Sequence, residues 1–106
     1  MIRFQFRGNR SFVEGAGHPI TVPKSQVPYH LLEARIGSAR EGRMTLPDGS
    51  HVGVHLYEGT AGYGPYFQLR TRSPSPWIRD CAKVGDSFEI FLELRAGRLE
   101  VSARAR

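Results

Sequence analysis

The residues best suited to chemistry in this 106-residue sequence fall in two stretches that interleave basic, aromatic and small polar side chains. Arginine, asparagine and lysine donate hydrogen bonds to phosphates and base edges, serine and threonine can donate or accept, and glutamate can accept from cytosine. This combination is typical of a surface that enters the groove of a nucleic-acid duplex. The alternative for each stretch is an ordinary solvated loop with aromatic residues packed beneath it. The first stretch comprises Arg7, Asn9, Arg10, Ser11, His18, Thr21, Lys24 and Ser25, and the second comprises Tyr57, Glu58, Thr60, Tyr63 and Tyr66.

The balance of charge also favours a partner that carries phosphates. The formal net charge is +5 and the pI is near 10.0, and residues 1–40 hold six basic residues against two acidic ones. A clustered positive surface raises both the affinity and the association rate for a polyanion. Thirteen of the fifteen basic residues are arginines, which favours bidentate contacts to phosphate or guanine. A GC-rich genome also replaces lysine with arginine, and that explanation of the bias stays open.

Metal, nucleotide and catalytic sites have less support in the sequence. His51 and His55 would share one face of a strand, but about 13 Å apart, which is too far for one metal ion. Gly59, Gly62 and Gly64 resemble part of a phosphate cradle, but neither a Lys-Ser/Thr pair nor a helix follows them. The carboxylates fall in turns or at outward strand positions, and no Gly-x-Ser-x-Gly motif is present. We therefore predict no enzyme activity, no metal and no cofactor.

Length and hydropathy restrict the class of protein further. A chain of 106 residues is expected to form one domain with a single core. No run approaches the roughly 20 apolar residues of a membrane helix, and the N-terminal MIRFQFRGNR contains no apolar signal core. A cytoplasmic location and no membrane partner are therefore expected. Cys81 is the single cysteine, which excludes an internal disulfide and a cysteine-cluster zinc site.

The last third of the sequence carries the strongest structural pattern. From residue 87 to residue 103 apolar and polar side chains alternate on both sides of a turn at Arg95–Arg98, which predicts a hairpin with one buried face. A tight turn is predicted just before it, at Val84–Asp86. The apolar set is Phe88, Ile90, Leu92 and Leu94, followed by Leu99, Val101 and Ala103.

The rest of the chain predicts further short strands and few helices. Alternation predicts strands at residues 2–7 and 66–72, and Pro47-Asp48-Gly49-Ser50 predicts the turn of a second hairpin over residues 42–57. Residues 19–23 form a brief extended piece. Residues 8–18 are predicted to be a flexible loop with Phe12 and Val13 as a short strand within it, and residues 58–65 a glycine-rich loop.

One helix is predicted from Ser25, its N-cap, to Ile36, and one helical turn between residues 77 and 83. Six or seven short strands with one or two short helices predict an all-β fold, arranged as a small barrel.

The order of several short motifs resembles the DNA-binding pseudobarrel of the plant B3 domain, a fold that also serves as the recognition domain of some bacterial restriction endonucleases. The similarity extends from about Ile2 to Ala103. The motifs are Ile20-Thr21-Val22-Pro23-Lys24, a short helix through Tyr29-His30-Leu31-Leu32, the Pro-Asp-Gly hairpin, Gly64-Pro65-Tyr66-Phe67-Gln68-Leu69, Trp77, and Val84-Gly85-Asp86-Ser87-Phe88.

The resemblance implies a single B3-like domain over residues 1–106, a seven-stranded open pseudobarrel that clamps the major groove of double-stranded DNA between two arms. Sequence-selective binding of this kind would serve transcription regulation or a restriction-modification system, with any nuclease domain or partner subunit elsewhere. The implied contacts are Arg10, His18, Thr21, Lys24 and Ser25 in the N-terminal arm, and Tyr57, Glu58, Thr60 and Tyr63 in the C-terminal arm. Residue chemistry adds Arg7 and Asn9 to the predicted DNA-binding set.

Two alternatives remain open from the sequence. The Gly-Asp-x-x-Glu-Ile strand followed by a glycine hairpin is similar to the AbrB-type swapped-hairpin regulators, which are about half this length and dimerise to complete their barrel. The other alternative is a small β-barrel that binds a protein or a small ligand, with no role in DNA binding and with the basic charge serving only solubility.

Overall fold

A computed structural model describes residues 2–24 and 40–106 of the chain. The predicted helix from Ser25 to Ile36 lies outside the described residues. The elements, in chain order, are β1 (Ile2–Arg7), α1 (Arg10–Glu14), β2 (Ile20–Thr21), β3 (Glu41–Thr45), β4 (His51–Ala61), β5 (Gly64–Thr71), α2 (Pro76–Cys81), β6 (Ser87–Arg95) and β7 (Arg98–Ala105).

The seven strands of the described residues form one sheet in the order β1-β6-β7-β3-β4-β5-β2. Every neighbouring pair is antiparallel except β3 and β7, which run parallel. The sheet curls into a nearly closed barrel, with β1 and β2 as its two edge strands. The predicted all-β fold, a seven-stranded open pseudobarrel with short helices, is confirmed, and a single chain supplies all seven strands.

The core follows from the period-two pattern of the strands. In β1 the even-numbered residues are buried and the odd-numbered ones exposed, and β6 and β7 continue the same inward face. Leu94, which was predicted to be buried, is instead 42% exposed, because it lies next to the turn, where the hairpin extends past the core. The two helices close one end of the barrel. Phe12 of α1 lies 5.1 Å from the Phe6 ring and 5.5 Å from the Phe88 ring, and Ile78 of α2 is fully buried. Burying side chains of this size stabilises a fold by about 1.5–3 kcal/mol each.

The predicted turns of the two hairpins are confirmed. Ala96 and Gly97 have φ angles of 52° and 76°, and two consecutive positive φ values match the twist of the strands that they join. In the turn between β3 and β4, the Asp48 carboxylate accepts hydrogen bonds from both the backbone N–H and the hydroxyl of Ser50. Gly85, in the turn that precedes β6, has a φ of 97°.

The prediction for residues 8–18 was wrong, because these residues contain the helix α1 and neither a short strand nor an extended flexible loop. The Asn9 side chain accepts a hydrogen bond of 2.9 Å from the backbone N–H of Phe12, which caps the helix N-terminus. Phe12 is then buried on one side of the single helical turn. Local capping and one buried aromatic ring therefore favour a helix, where alternation over two residues had predicted a strand.

The predicted loop at residues 58–65 was also wrong. Strand β4 continues to Ala61 and β5 begins at Gly64, so that residues 58–61 pair with residues 64–67 and the connection is Gly62-Tyr63. The ring of Tyr66 lies directly over Gly59, where any Cβ atom would overlap it. The glycine is therefore part of a cross-strand pair, and not a sign of loop flexibility.

Candidate nucleic-acid interface

A row of polar side chains crosses three strands on the outer surface of the barrel. Thr21 of β2 lies opposite Gln68 of β5, and Gln68 lies opposite Tyr57 of β4. The flanking residues Ile20 and Leu69 point into the core, so strand alternation places the row outside. The Gln68 amide donates a hydrogen bond of 3.1 Å to the Thr21 hydroxyl, which ties the edge strand to the sheet surface.

Arg70 lies on the same surface, in contact with Tyr57 and Gln68. Its guanidinium carbon lies 3.6 Å from the centroid of the Tyr57 ring, and its Nε and Nη2 atoms donate to the Gln68 Oε1 at 3.0 and 2.8 Å. A guanidinium carries five N–H donors, so this arrangement fixes the group and leaves donors for a ligand. No carboxylate of the described residues lies within ion-pair distance of Arg70. The result is an oriented cation on an aromatic platform.

The end of the β4–β5 hairpin is joined to the segment that follows β2. Lys24 donates from Nζ to the Tyr63 carbonyl oxygen at 3.2 Å, and the same nitrogen lies 5.8 Å from the Tyr63 ring centroid. Tyr63 itself is 70% exposed. The structure thus brings together residues from both predicted stretches, in an area that we call the β2–β5–β4 face: Thr21, Lys24, Tyr57, Tyr63, Tyr66, Gln68 and Arg70.

Two further predicted residues lie on the same hairpin with different surroundings. Glu58 is exposed and forms an ion pair of 3.5 Å with Arg40, whose backbone carbonyl accepts from the N–H of Leu56. This pairing reduces the capacity of the Glu58 carboxylate to accept from a base. Thr60 is exposed and lies opposite Pro65, near the hairpin tip.

Arg7, Asn9 and Arg10 lie at the other end of the barrel, beside α1. The Asn9 side-chain oxygen is already engaged as the helix cap. Arg10 forms an exposed ion pair with Glu14 at 2.6 Å, and the hydrogen bond and charge of Glu14 raise the pKa of Arg10. The Gly17 carbonyl, three residues after α1, accepts from the N–H of Thr71 at the end of β5, and the eight residues of β5 span about 23 Å from there to the hairpin tip at the usual rise of 3.3 Å per residue. The predicted N-terminal stretch is therefore divided between two areas.

His18 lies inside the protein and not on the predicted surface. It is 1% exposed, with Nδ1 2.7 Å from the Phe12 carbonyl oxygen and Nε2 accepting from the Ser75 backbone N–H at 3.0 Å. The carbonyl accepts only, so Nδ1 carries the proton. Because both ring nitrogens are hydrogen-bonded, His18 links α1 to the segment before α2. It is not part of the β2–β5–β4 face. Ser25 lies outside the described residues.

Gln68 and Arg70 belong to the site, but reasoning from the sequence did not select them. The alternation of residues 66–70 does place both side chains on the outer face of a predicted strand. What the alternation leaves open is which strands lie beside β5, because that depends on the register with Tyr57 and Thr21. The signal that identifies them is their outward position on a predicted strand, whereas the predicted site residues were taken mainly from the loops.

Comparisons with known proteins do not assign the chain to a family. No protein-family model matches it, and no curated protein matches it significantly. Within residues 2–24 and 40–106, no helix is long and apolar enough to cross a membrane. The same residues contain no group of three or more His, Cys, Asp or Glu side chains that could hold a metal ion.

Proposed function

We propose that the chain binds double-stranded DNA with sequence preference, and that the β2–β5–β4 face and the β4–β5 hairpin enter the major groove. The observation that carries the proposal is the Arg70 guanidinium, stacked on Tyr57 and held by Gln68. An oriented guanidinium is the group that most often reads guanine, through its O6 and N7 acceptors. Stacking on the tyrosine reduces the conformational entropy that a free arginine side chain would lose on binding.

The shape of the hairpin supports the major groove as its position. Phe67 is the last buried residue of β5 before the tip, and Glu58, opposite it, is exposed, as are Thr60 and Pro65 beyond it. The two strands therefore project from the barrel as a ribbon with no core beneath them. The major groove of B-DNA is about 12 Å wide and admits a two-stranded ribbon of this kind.

Electrostatics supply the second support. Lys24 lies beside the hairpin tip and Arg70 lies on the β2–β5–β4 face, whereas Arg7 and Arg10 lie beside α1, so cationic groups are spread along the molecule. Phosphate contacts position a protein on the duplex, whereas base contacts select the sequence. We assign the α1 end to phosphate contacts and the β2–β5–β4 face to base contacts. Transcription regulation, or recognition within a restriction-modification system, is the role that such binding would serve.

The test is selection from a randomised duplex library at about 150 mM salt, a concentration at which purely electrostatic binding is weak. The expected result is an enriched motif of a few base pairs. On that motif, Arg70→Ala should weaken binding about 5- to 150-fold, since a good bidentate contact discriminates by about 1–3 kcal/mol. Lys24→Ala should reduce the slope of log K against log salt by about one.

Arg104→Ala is the matched control. Its guanidinium also stacks on an aromatic ring, 4.4 Å from the Phe91 centroid, but it lies on β7, three strands away from β5 in the sheet. The substitution removes the same charge, so it should leave the enriched motif and most of the affinity unchanged. Equal losses for the two arginine variants would refute the assignment of the face, and a library that returns unenriched would refute selective DNA binding.

A second candidate function, binding of a small ligand or protein segment, is favoured by a cleft between the β3–β4 turn and α2. Its volume is about 590 Å³, within the usual range of ligand pockets. If the duplex library returns unenriched, the fluorescence of Trp77 in the cleft wall would report ligand binding there. The lining residues are Asp48, Ser50, His51, Val52, Gly53, Ser73, Pro74, Ser75, Pro76, Trp77, Asp80 and Cys81.

A further inference from the structure

The most exposed large hydrophobic side chain in residues 2–24 and 40–106 is Tyr63, at the tip of the β4–β5 hairpin. Its exposed fraction is 70%, compared with 64% for Val84 and 42% for Leu94. The core of the barrel gains little from a ring in this position. An aromatic ring held in water at the end of a projecting ribbon is suited to stacking on a ligand.

The connection that carries this ring is short and flanked by glycines. Tyr63 lies between Gly62, where an added Cβ would meet no atom within 4 Å, and Gly64, whose φ of 110° favours glycine. Ala61 pairs with Gly64, so Gly62 and Tyr63 alone make the connection between the two strands. Small neighbours allow the ring to approach a ligand closely, because no bulky side chain next to it would meet the ligand first.

Lys24 supports the tip from the neighbouring segment. Its hydrogen bond to the Tyr63 carbonyl, at 3.2 Å, links the tip to the chain after β2 and restricts the direction in which the hairpin can bend. The ammonium group, 5.8 Å from the ring centroid, also places a positive charge beside the ring. A base that stacked on the ring would therefore have its phosphate near a cation, as is usual where aromatic residues stack on bases in a positively charged groove.

We propose that Tyr63 is a stacking wedge, which inserts its ring between neighbouring bases of the bound DNA and locally unstacks them. This inference rests on the proposed DNA binding and adds a deformation of the duplex to it. Apolar and aromatic wedges of minor-groove proteins unstack base steps at an energetic cost that extra contacts to the bent DNA offset, and the same balance applies to a ring inserted from the major groove. The wedge therefore predicts tighter binding wherever a base step is already open.

The experiment compares a fluorescently labelled 24-base-pair duplex with the same duplex lacking one central nucleotide, by anisotropy at about 50 mM salt. The wild-type chain should bind the gapped duplex at least about fivefold more tightly, since the cost of opening one step is a few kcal/mol. Tyr63→Ala should lose this preference, whereas Tyr63→Phe, which keeps the ring, should retain it. Val84→Ala removes a similarly exposed side chain from the turn before β6 and should also retain it. A 2-aminopurine opposite the gap should be quenched by the wild-type chain and not by Tyr63→Ala.

The outcomes separate this inference from the function on which it rests. If the wild-type chain binds both duplexes with equal affinity, the wedge is refuted while DNA binding stands. If Tyr63→Ala weakens both complexes equally and keeps the gap preference, the ring contacts DNA without inserting, and the wedge is again refuted. If neither duplex is bound, the proposed function itself fails.

Discussion

Replacement of His18 by alanine tests whether this residue is a structural link and not a surface contact. The side chain is 1% exposed and engages two backbone groups, the Phe12 carbonyl oxygen and the Ser75 N–H. Its removal leaves both groups buried without partners, at about 1–3 kcal/mol each. Histidine adopts the φ of 42° at this position more readily than alanine, so backbone conformation adds a small further loss. We expect a loss of about 2–6 kcal/mol in the free energy of unfolding.

This loss can be measured by urea denaturation. Trp77 is the single tryptophan and lies 6.2 Å from the Phe88 ring at the closed end of the barrel, so its fluorescence reports on the region that His18 links. With a urea m-value of about 2 kcal/mol/M, in the middle of the usual range, the midpoint should fall by about 1–3 M. The protein would thereby lose a large part of a typical stability of about 5–15 kcal/mol.

His55→Ala is the matched control for this prediction. His55 is half-buried and points outward from β4, so the substitution should change the unfolding free energy by no more than about 0.5–1 kcal/mol. If His18→Ala has the same midpoint as His55→Ala, the structural role of His18 is refuted. His18 would then return to the set of candidate DNA contacts.

Two more expectations concern a strand crossing and a turn. Gly42→Ala should lower the unfolding free energy by about 3 kcal/mol or more, because its Cβ would overlap a backbone carbonyl of β7. Gly53→Ala is the control, since its Cβ would meet only a flexible arginine side chain. Equal shifts of the melting temperature in the two variants would contradict this prediction. The pKa of Asp48 is lowered from its usual 3.8 chiefly by the hydrogen bond from the Ser50 hydroxyl. The Asp48 carboxylate therefore contributes stability above the unfolded-state pKa, and this contribution disappears as pH falls through the folded-state value. The melting temperature of Asp48→Asn should thus lie below that of the wild type at pH 7 and equal it near pH 2, and a difference that persists at pH 2 would contradict this.

Much of the fold could be predicted because its signals are local. Alternation of period two depends only on neighbouring residues, so β1, β6 and β7 follow from the sequence with their inward faces correct except at Leu94, beside the turn. Turn chemistry is local as well, which is why the connections at Asp48 and Gly97 were found. The two errors, at α1 and at the end of β4, arose where glycine and polar residues favour several conformations. Phe12 decides between them through its contact with Phe88 near the other end of the chain, and Tyr66 through its packing on Gly59 across the hairpin.

The sequence by itself determined the strand faces, the hairpin turns, the all-β class and the basic, arginine-rich surface. Only the tertiary structure decided which strands lie side by side, such as the parallel pairing of β3 with β7. It also decided that His18 lies in the interior and not on the predicted surface. A local pattern does not show this, because the hydrogen-bond partner Ser75 is 57 residues away in the sequence. In the same way it joined Thr21, Tyr57 and Arg70 around Gln68. Strand order and register depend on how the whole barrel buries its apolar faces at once, and a local pattern is the same for every arrangement of strands that achieves this.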